Sequence, residues 1–263
     1  VSVHPTAIVH PEAVLSPGVV VGPYSVVGPG VRLAAGVVVG AHVTLDRDTE
    51  IGSGTRIDHH VALGGDPQDR KHDAGLRTVL RIGRNNVFRE FVTAHRGSAG
   101  GARETVIGDD NYFMANSHVA HDCVVGSGVT FANSVAIAGH VRVEDGATLG
   151  GLCAVHQHCR VGRLAMIGGG AMCAQDVPPF ALAQGDRARL YGLNIIGLKR
   201  SGMDDATVSA LKDAWKLLFT SDLPWRTSLS RAEETLGHVP PVAELLAFVR
   251  ASTRGVCRAG LHG

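Results

Sequence analysis

The chain has 263 residues, 34 of them glycine, and few aromatics: two Trp, three Tyr and seven Phe. So much glycine without a Gly-X-Y period excludes a collagen-like fibre, and 25 basic against 24 acidic side chains exclude the strong positive charge of a general nucleic-acid binder. No apolar run approaches the ~18 residues that a membrane span requires, so an integral membrane protein is not expected. Val1 to Pro5 carry neither the basic nor the apolar region of a secretory signal. The five cysteines are odd in number and form no CxxC pair, which points to a reducing, cytoplasmic setting rather than a disulfide framework.

From the N-terminus an internal repeat dominates. Stepping by six from Val3 lands on Val, Leu or Ile at Val9, Leu15, Val21, Val27, Leu33, Val39, Leu45, Ile51, Ile57 and Leu63. Four residues after each stands a small or β-branched side chain, as at Ala7, Ala13, Val19, Ser25 and Val31. The period resumes at Ile107 and runs through Phe113, Val119 and Val125 to Cys173. Six residues suit one short strand and a tight turn, and three such units close a triangular coil of about 18 residues. Successive coils then stack about 4.8 Å apart as parallel sheets. This pattern resembles the hexapeptide-repeat left-handed parallel β-helix. The left hand is what the resemblance implies, since the usual crossover rule favours the opposite one. Cys123, Cys153, Cys159 and Cys173 fall on inward positions of the frame and read as small buried hydrophobes.

Two insertions interrupt the repeat, one from Gly64 to Arg77 and a shorter one from Gly97 to Glu104. Polar loops on a regular scaffold are common places for binding groups. After Val177-Pro178-Pro179 the period ends. Asp204–Phe219 reads as an amphipathic helix, and Pro224–Leu236 and Pro241–Arg250 as two more, each opened by Pro. The expected organisation is a solenoid over residues 1–186 and a C-terminal helical domain over 187–263 that caps one solenoid end. Residues 180–263 hold 11 basic and 8 acidic side chains.

Of the 14 histidines, His4, His10 and His42 read as solvated corner residues, and His238 and His262 have no visible partner. His118 to His158 differ, because an 18-residue coil turns spacing into neighbourhood. His121, Gly139 and Gln157 fall in one column; Asp122, His140 and His158 fall in the next; His156 lies beside them. Such a patch suits acyl transfer: an imidazole takes the proton of an attacking hydroxyl, a carboxylate sets its tautomer, and a glycine N–H faces the oxyanion. Neighbouring strand residues usually point to opposite faces, so Asp122 can serve only where the backbone turns. A zinc reading through His118, His121, His156 and His158, as in the γ-class carbonic anhydrases of the same fold, is disfavoured because the columns of His118 and His121 differ.

The runs NSHVAHDCVVG (116–126), IAGHVRVEDGATLGG (137–151), AVHQHCRVG (154–162), AQDVPPFALAQG (174–185) and GLNIIGLKRSG (192–202) resemble the UDP-N-acetylglucosamine 3-O-acyltransferase family. The resemblance covers nearly the whole chain. It implies transfer of a 3-hydroxyacyl group from acyl carrier protein to UDP-N-acetylglucosamine, the first step of lipid A synthesis, by a homotrimer with intersubunit sites. No metal or cofactor is implied beyond the carrier's phosphopantetheine arm. By motif, His121 becomes the general base, Asp122 its orienting partner and Gly139 the oxyanion donor, with His118, His140, His156 and Gln157 lining the cleft. PQDRKH supplies Gln68, Asp69 and Lys71, and TAHRG supplies His95 and Arg96. Asn194 and Arg200 match residues that hold the nucleotide, whereas Ile196 replaces a usual carboxylate and Ser201 a frequent arginine. Gly169 matches the family's hydrocarbon ruler, and its missing Cβ favours a longer acyl chain, about C14 over about C10. The related N-acyltransferase carries a uridine-binding domain before its repeats, which is not expected here because they begin at Val3. Two other readings remain open: an acetyl-CoA-dependent transferase on the same fold, and a non-catalytic solenoid.

Overall fold

The computed structural model describes residues 1–260, so His262 lies outside the described residues. Strands of mostly two residues step round three walls. The first wall begins at Ser2–Val3, the second at Ile8–Val9 and the third at Val14–Leu15. Among the described residues these walls become sheets of eleven, nine and eight strands. Every pairing within the coils is parallel: Ser2 faces Val20, Ile8 faces Val26 and Val14 faces Arg32.

The hexad residues turn inward. From Val21 onward the main apolar positions are almost fully buried, and Val19, Ser25 and Val31 fill the space between them. The first coil differs: its inward Val3 is exposed, and Val9 and Leu15 are only half-buried. Cys123, Cys153, Cys159, Cys173 and Cys257 are buried and free. Burial pushes the Cys123 and Cys153 thiols up to about 12, so the reactive thiolate is suppressed.

Corners are made by one residue in the left-handed backbone region. From the second wall to the third, Asp48, Asp122, His140 and His158 take that position, with φ between 51 and 64°. Asp, Asn and His tolerate this conformation better than branched residues do. Both insertions leave this same corner. One joins Ala62–Gly65 of the second wall to Val79–Ile82 of the third, and the other joins Thr93–His95 to Glu104–Ile107. The 18-residue register becomes 31 residues across the first insertion and 25 across the second. Arg96, 1% exposed, ties the first insertion down through the Gly64 carbonyl, the Asp66 carboxylate and, at 3.3 Å, the Thr78 hydroxyl. Its guanidinium is therefore a structural tie, not the cleft group that its motif suggested.

At the C-terminal end, Ala181–Gln184 still pairs in parallel with Met166–Ile167, then turns into an antiparallel hairpin with Arg189–Leu193. The hexad gave no sign of this hairpin, because it lacks the six-residue spacing. The 186/187 division falls in its turn. Four helices follow: α1 (Ile195–Arg200), α2 (Asp205–Trp215), α3 (Trp225–Leu236) and α4 (Pro240–Arg250). The short α1 has no apolar period to betray it; Asn194 caps it by accepting the Gly197 N–H at 3.1 Å. Asp204 caps α2, which ends at Trp215 and continues to Thr220 as one wider π-helical turn. Leu198, Val208, Leu211 and Leu245 join the same apolar core as the solenoid.

Inside the prism, Phe113 is fully buried, its ring 4.8 Å from Phe88 and 5.0 Å from Phe131. Phe113→Ala should cost about 3–5 kcal/mol, read as a lowered denaturant midpoint, because adjacent coils cannot collapse into the void.

Candidate active site

The site lies where the second wall meets the third, beside the two insertions. His121 and Asp122 occupy that corner directly after the strand His118–Val119. The left-handed backbone at Asp122 (φ 60°) swings its side chain back toward His121, which meets the condition that strand alternation alone would forbid. His121 Nδ1 lies 2.7 Å from Asp122 Oδ2.

The Asp122 side chain has no solvent exposure. It accepts the Ser98 N–H at 3.0 and 3.1 Å and the Ser98 hydroxyl at 2.6 Å, all from the second insertion, while its own N–H donates to Thr105 Oγ1 at 2.8 Å. Burial alone would raise the carboxyl pKa. The hydrogen bonds from Ser98 and His121, helped by His140, outweigh burial and hold it below the ordinary carboxylate value. Asp122 is therefore a fixed anion, and its bond to Nδ1 leaves His121 Nε2 as the free basic nitrogen.

One coil further, Gly139 lies under the imidazole. A Cβ there would sit 2.6 Å from His121 Cε1 and 2.8 Å from Nε2, so any side chain would displace the ring. Among the described residues the Gly139 N–H makes no backbone hydrogen bond, and it is free to meet an oxyanion. Gln68, His118, His121, Gly139, His156 and Gln157 line one cleft of about 600 Å³. Ala136 and Ala154 floor it and Met172 closes it, so small side chains leave a groove along the second wall.

The remaining candidates stand around this cleft. His95 is half-buried and meets His118 edge to face, with ring centroids 4.9 Å apart. His140 packs edge-on against His121 at 5.2 Å, its Nε2 3.8 Å from Asp122 Oδ2, and stacks on His158 at 4.5 Å. Gln68 lines the cleft, which places the first insertion, with Asp69 next to it in the chain, beside the site. Lys71 is exposed and its N–H donates to Asp69 Oδ1 at 2.9 Å. Gly169 is exposed at the opposite edge of the second wall and outside the cleft lining of this chain. Asn194 is engaged as the α1 cap, with its Nδ2 donating to the Leu164 carbonyl at 3.0 Å; Arg200 is exposed at the end of α1. Neither lines the cleft of the single chain.

His121, Asp122 and His140 each offer a donor atom within 4.8 Å of the others. The Asp122 oxygens already accept from Ser98 and His121, so His121 and Asp122 form a hydrogen-bonded acid–base pair, with His140 Nε2 beyond hydrogen-bond reach at 3.8 Å. Three partners were not foreseen: Ser98, Thr93 (whose hydroxyl lies 2.7 Å from His118 Nδ1) and Arg187, carried to the cleft by the hairpin turn. Only the Gly185-Asp186-Arg187 turn composition hinted at the last.

A hexapeptide solenoid with a carboxylate-backed imidazole over a bare glycine amide defines a hexapeptide-repeat transferase. The comparisons agree. Residues 12–47 and 104–139 match the bacterial transferase hexapeptide model, and residues 176–257 match domain 2 of UDP-N-acetylglucosamine O-acyltransferase. A relative from Thermodesulfovibrio yellowstonii, named acyl-[acyl-carrier-protein]–UDP-N-acetylglucosamine O-acyltransferase, is 47% identical across 80% of this chain and 81% of its own. One of the same name from Trichlorobacter lovleyi is 54% identical over 77% and 78%. Among solved structures, the UDP-N-acetylglucosamine acyltransferase of Francisella novicida superposes with a TM-score of 0.95 at 31% identity, covering 98% of this chain and 95% of that one. LpxA from Acinetobacter baumannii gives 0.94 at 37% identity, covering 97% and 99%. The chain belongs to the acyl-[acyl-carrier-protein]–UDP-N-acetylglucosamine O-acyltransferase family, with its left-handed parallel β-helix and C-terminal helical domain.

Burial, aided by His95 and His121, lowers the His118 pKa to about 4, and burial first also lowers those of His95 and His140. Unfolding exposes these rings and lets them take protons from about pH 6.5 downward, so the unfolded chain binds more protons in that window. Stability should therefore fall as the pH drops from 6.5 toward 4. Urea midpoints across that range test this, and His118→Asn should make the decline shallower.

Proposed function

We propose that this protein transfers a 3-hydroxyacyl group from the phosphopantetheine thioester of acyl carrier protein to the 3-hydroxyl of UDP-N-acetylglucosamine, the first step of lipid A biosynthesis. The observation that carries this reading is the His121 Nδ1–Asp122 Oδ2 bond of 2.7 Å beside the Gly139 N–H. The sugar hydroxyl oxygen attacks the thioester carbonyl while His121 Nε2 takes its proton. Asp122 steadies the resulting imidazolium, and the Gly139 N–H receives the negative carbonyl oxygen. Collapse expels the pantetheine sulfur, which recovers the proton from His121. The products are the ester and the free thiol of the carrier.

The groove over Ala136 and Ala154 supplies apolar floor for the acyl chain, and Gln68, His118, His156 and Gln157 supply polar contacts for the sugar nucleotide. Asp69, Lys71, His95 and His140 support the cleft from outside. A homotrimer is part of the proposal. Outward side chains of the third wall are charged at Arg32, Glu50, Arg81, Arg142 and Arg160, whereas those of the second include no Arg, Lys, Asp or Glu and run from Thr93 through His118, Ala136 and Ala154 to Met172. An uncharged wall suits burial against a second copy, and a neighbour there completes an otherwise open groove. In that arrangement Gly169, Asn194 and Arg200 serve the cleft of an adjacent subunit. No helix of the described residues is long and apolar enough to cross a membrane.

Purified protein should convert UDP-N-acetylglucosamine and 3-hydroxyacyl carrier protein to the 3-O-acyl product, followed by mass spectrometry. His121→Ala should reduce turnover about 10²–10⁴-fold with an unchanged circular dichroism spectrum; retained turnover would remove His121 as the base. A Cβ at Gly169 would stand 3.3 Å from the Gly151 carbonyl oxygen, a tight contact that a backbone shift of a few tenths of an ångström relieves, at a position that is otherwise exposed. Gly169→Met should shift preference to shorter acyl chains in a competition between carrier-bound substrates, and an unmoved preference would place the ruler elsewhere.

A further inference from the structure

Beyond α4 the chain returns to the solenoid and is anchored there. Asp176 is 1% exposed. Its carboxylate accepts the Ser252 hydroxyl at 2.7 Å and the Arg160 N–H at 2.8 Å. Its N–H donates to the Gly255 carbonyl and its carbonyl accepts from the Cys257 N–H, both at 2.9 Å. Gly255 takes a left-handed turn, φ 75°, which any other residue would strain. The acyl-transfer scheme has no use for this buried carboxylate. What it does is fix the residue between its anchors, Arg254.

Arg254 Nη2 lies 3.1 Å from His156 Nδ1 and 3.3 Å from the Ala174 carbonyl, and both partners belong to cleft-lining residues. A guanidinium has donors and no acceptor, so Nδ1 must accept and the ring proton must reside on Nε2. One contact competes: Nδ1 is also 3.3 Å from the Gln157 carbonyl and could donate there. The two are exclusive. The Arg254 contact is shorter and charge-assisted, whereas the Gln157 carbonyl belongs to the adjoining residue and is farther away.

We propose that Arg254 is a positioning residue that holds His156 as its Nε2–H tautomer, so that His156 serves as a hydrogen-bond donor to an acceptor oxygen of the sugar nucleotide. His121 is the opposite case. A carboxylate at its Nδ1 keeps the proton there and leaves Nε2 basic. Two imidazoles of one cleft are thus set to opposite roles by partners of opposite charge. The assignment to substrate binding rests on the acyl-transfer reading; the tautomer does not.

Nitrogen-15 spectra of the histidine-labelled protein, with His156 assigned by its loss in His156→Ala, should show Nε2 protonated and Nδ1 unprotonated in the uncharged ring. Arg254→Met should return that ring to a mixture of tautomers. A protonated Nδ1 in the unaltered protein, or an unchanged ring in Arg254→Met, overturns the proposal. In kinetics, Arg254→Met should raise KM for UDP-N-acetylglucosamine up to about 10-fold, the worth of one hydrogen bond, with kcat little changed. In a His156→Ala background it should add nothing further; a full additional loss would mean that Arg254 acts independently of His156 and would overturn the coupling. Absence of turnover in the unaltered protein would defeat the acyl-transfer reading and leave the spectra to decide the tautomer.

Discussion

Backbone pairing between coils is the constraint from which the rest follows. His118 N donates to the Val135 carbonyl, Ala136 N to Cys153 and Ala154 N to Ala171, each bond joining residues one coil apart. Such a ladder tolerates no slip, because a shift of one residue would turn the inward Val, Leu and Ile outward. The same register fixes the outer face. His121, Gly139 and Gln157 are brought together by the hydrogen bonds that bury Val119, Ile137 and Val155. Function is thus held at no extra cost in order by the bonds that make the core.

The cleft adds what the bare solenoid lacks. A regular corner exposes its side chains to water, where a carboxylate and an imidazole interact weakly. The second insertion covers Asp122 and repays its lost hydration with the Ser98 N–H and hydroxyl. That exchange keeps the carboxylate ionised though buried, and a buried anion bound to Nδ1 orients an imidazole far better than a solvated one. The first insertion, held by Arg96, brings Gln68 to the lining. Because both loops leave the same corner, they enclose one site.

The C-terminal region acts on the same cleft from the other end. The hairpin from Ala181 contributes Arg187, and the returning segment after α4 carries Arg254 to His156. The helices are thus more than a lid over open strand edges. Their packing through Leu198, Val208 and Leu245 into the solenoid core sets where the chain re-emerges and hence where that arginine lies.

Much of this was legible before any coordinates. A strict six-residue period determines a coil, and adding 18 places His121 over Gly139 and Asp122 beside His140, because parallel pairing leaves the spacing no freedom. The amphipathic run from Asp204, Pro224 before α3 and the prolines that open α4 marked helices for local reasons. The sequence could not reveal Ser98 against Asp122, Arg187 at the cleft or Arg254 on His156, since each contact spans an irregular stretch that no period describes. Nor could a motif distinguish Arg96, buried as a tie, from His95 beside it. The repeat by itself determined the scaffold and the column of catalytic candidates. Tertiary packing decided the protonation partners, because a loop's path depends on which buried groups it must satisfy rather than on its own spacing.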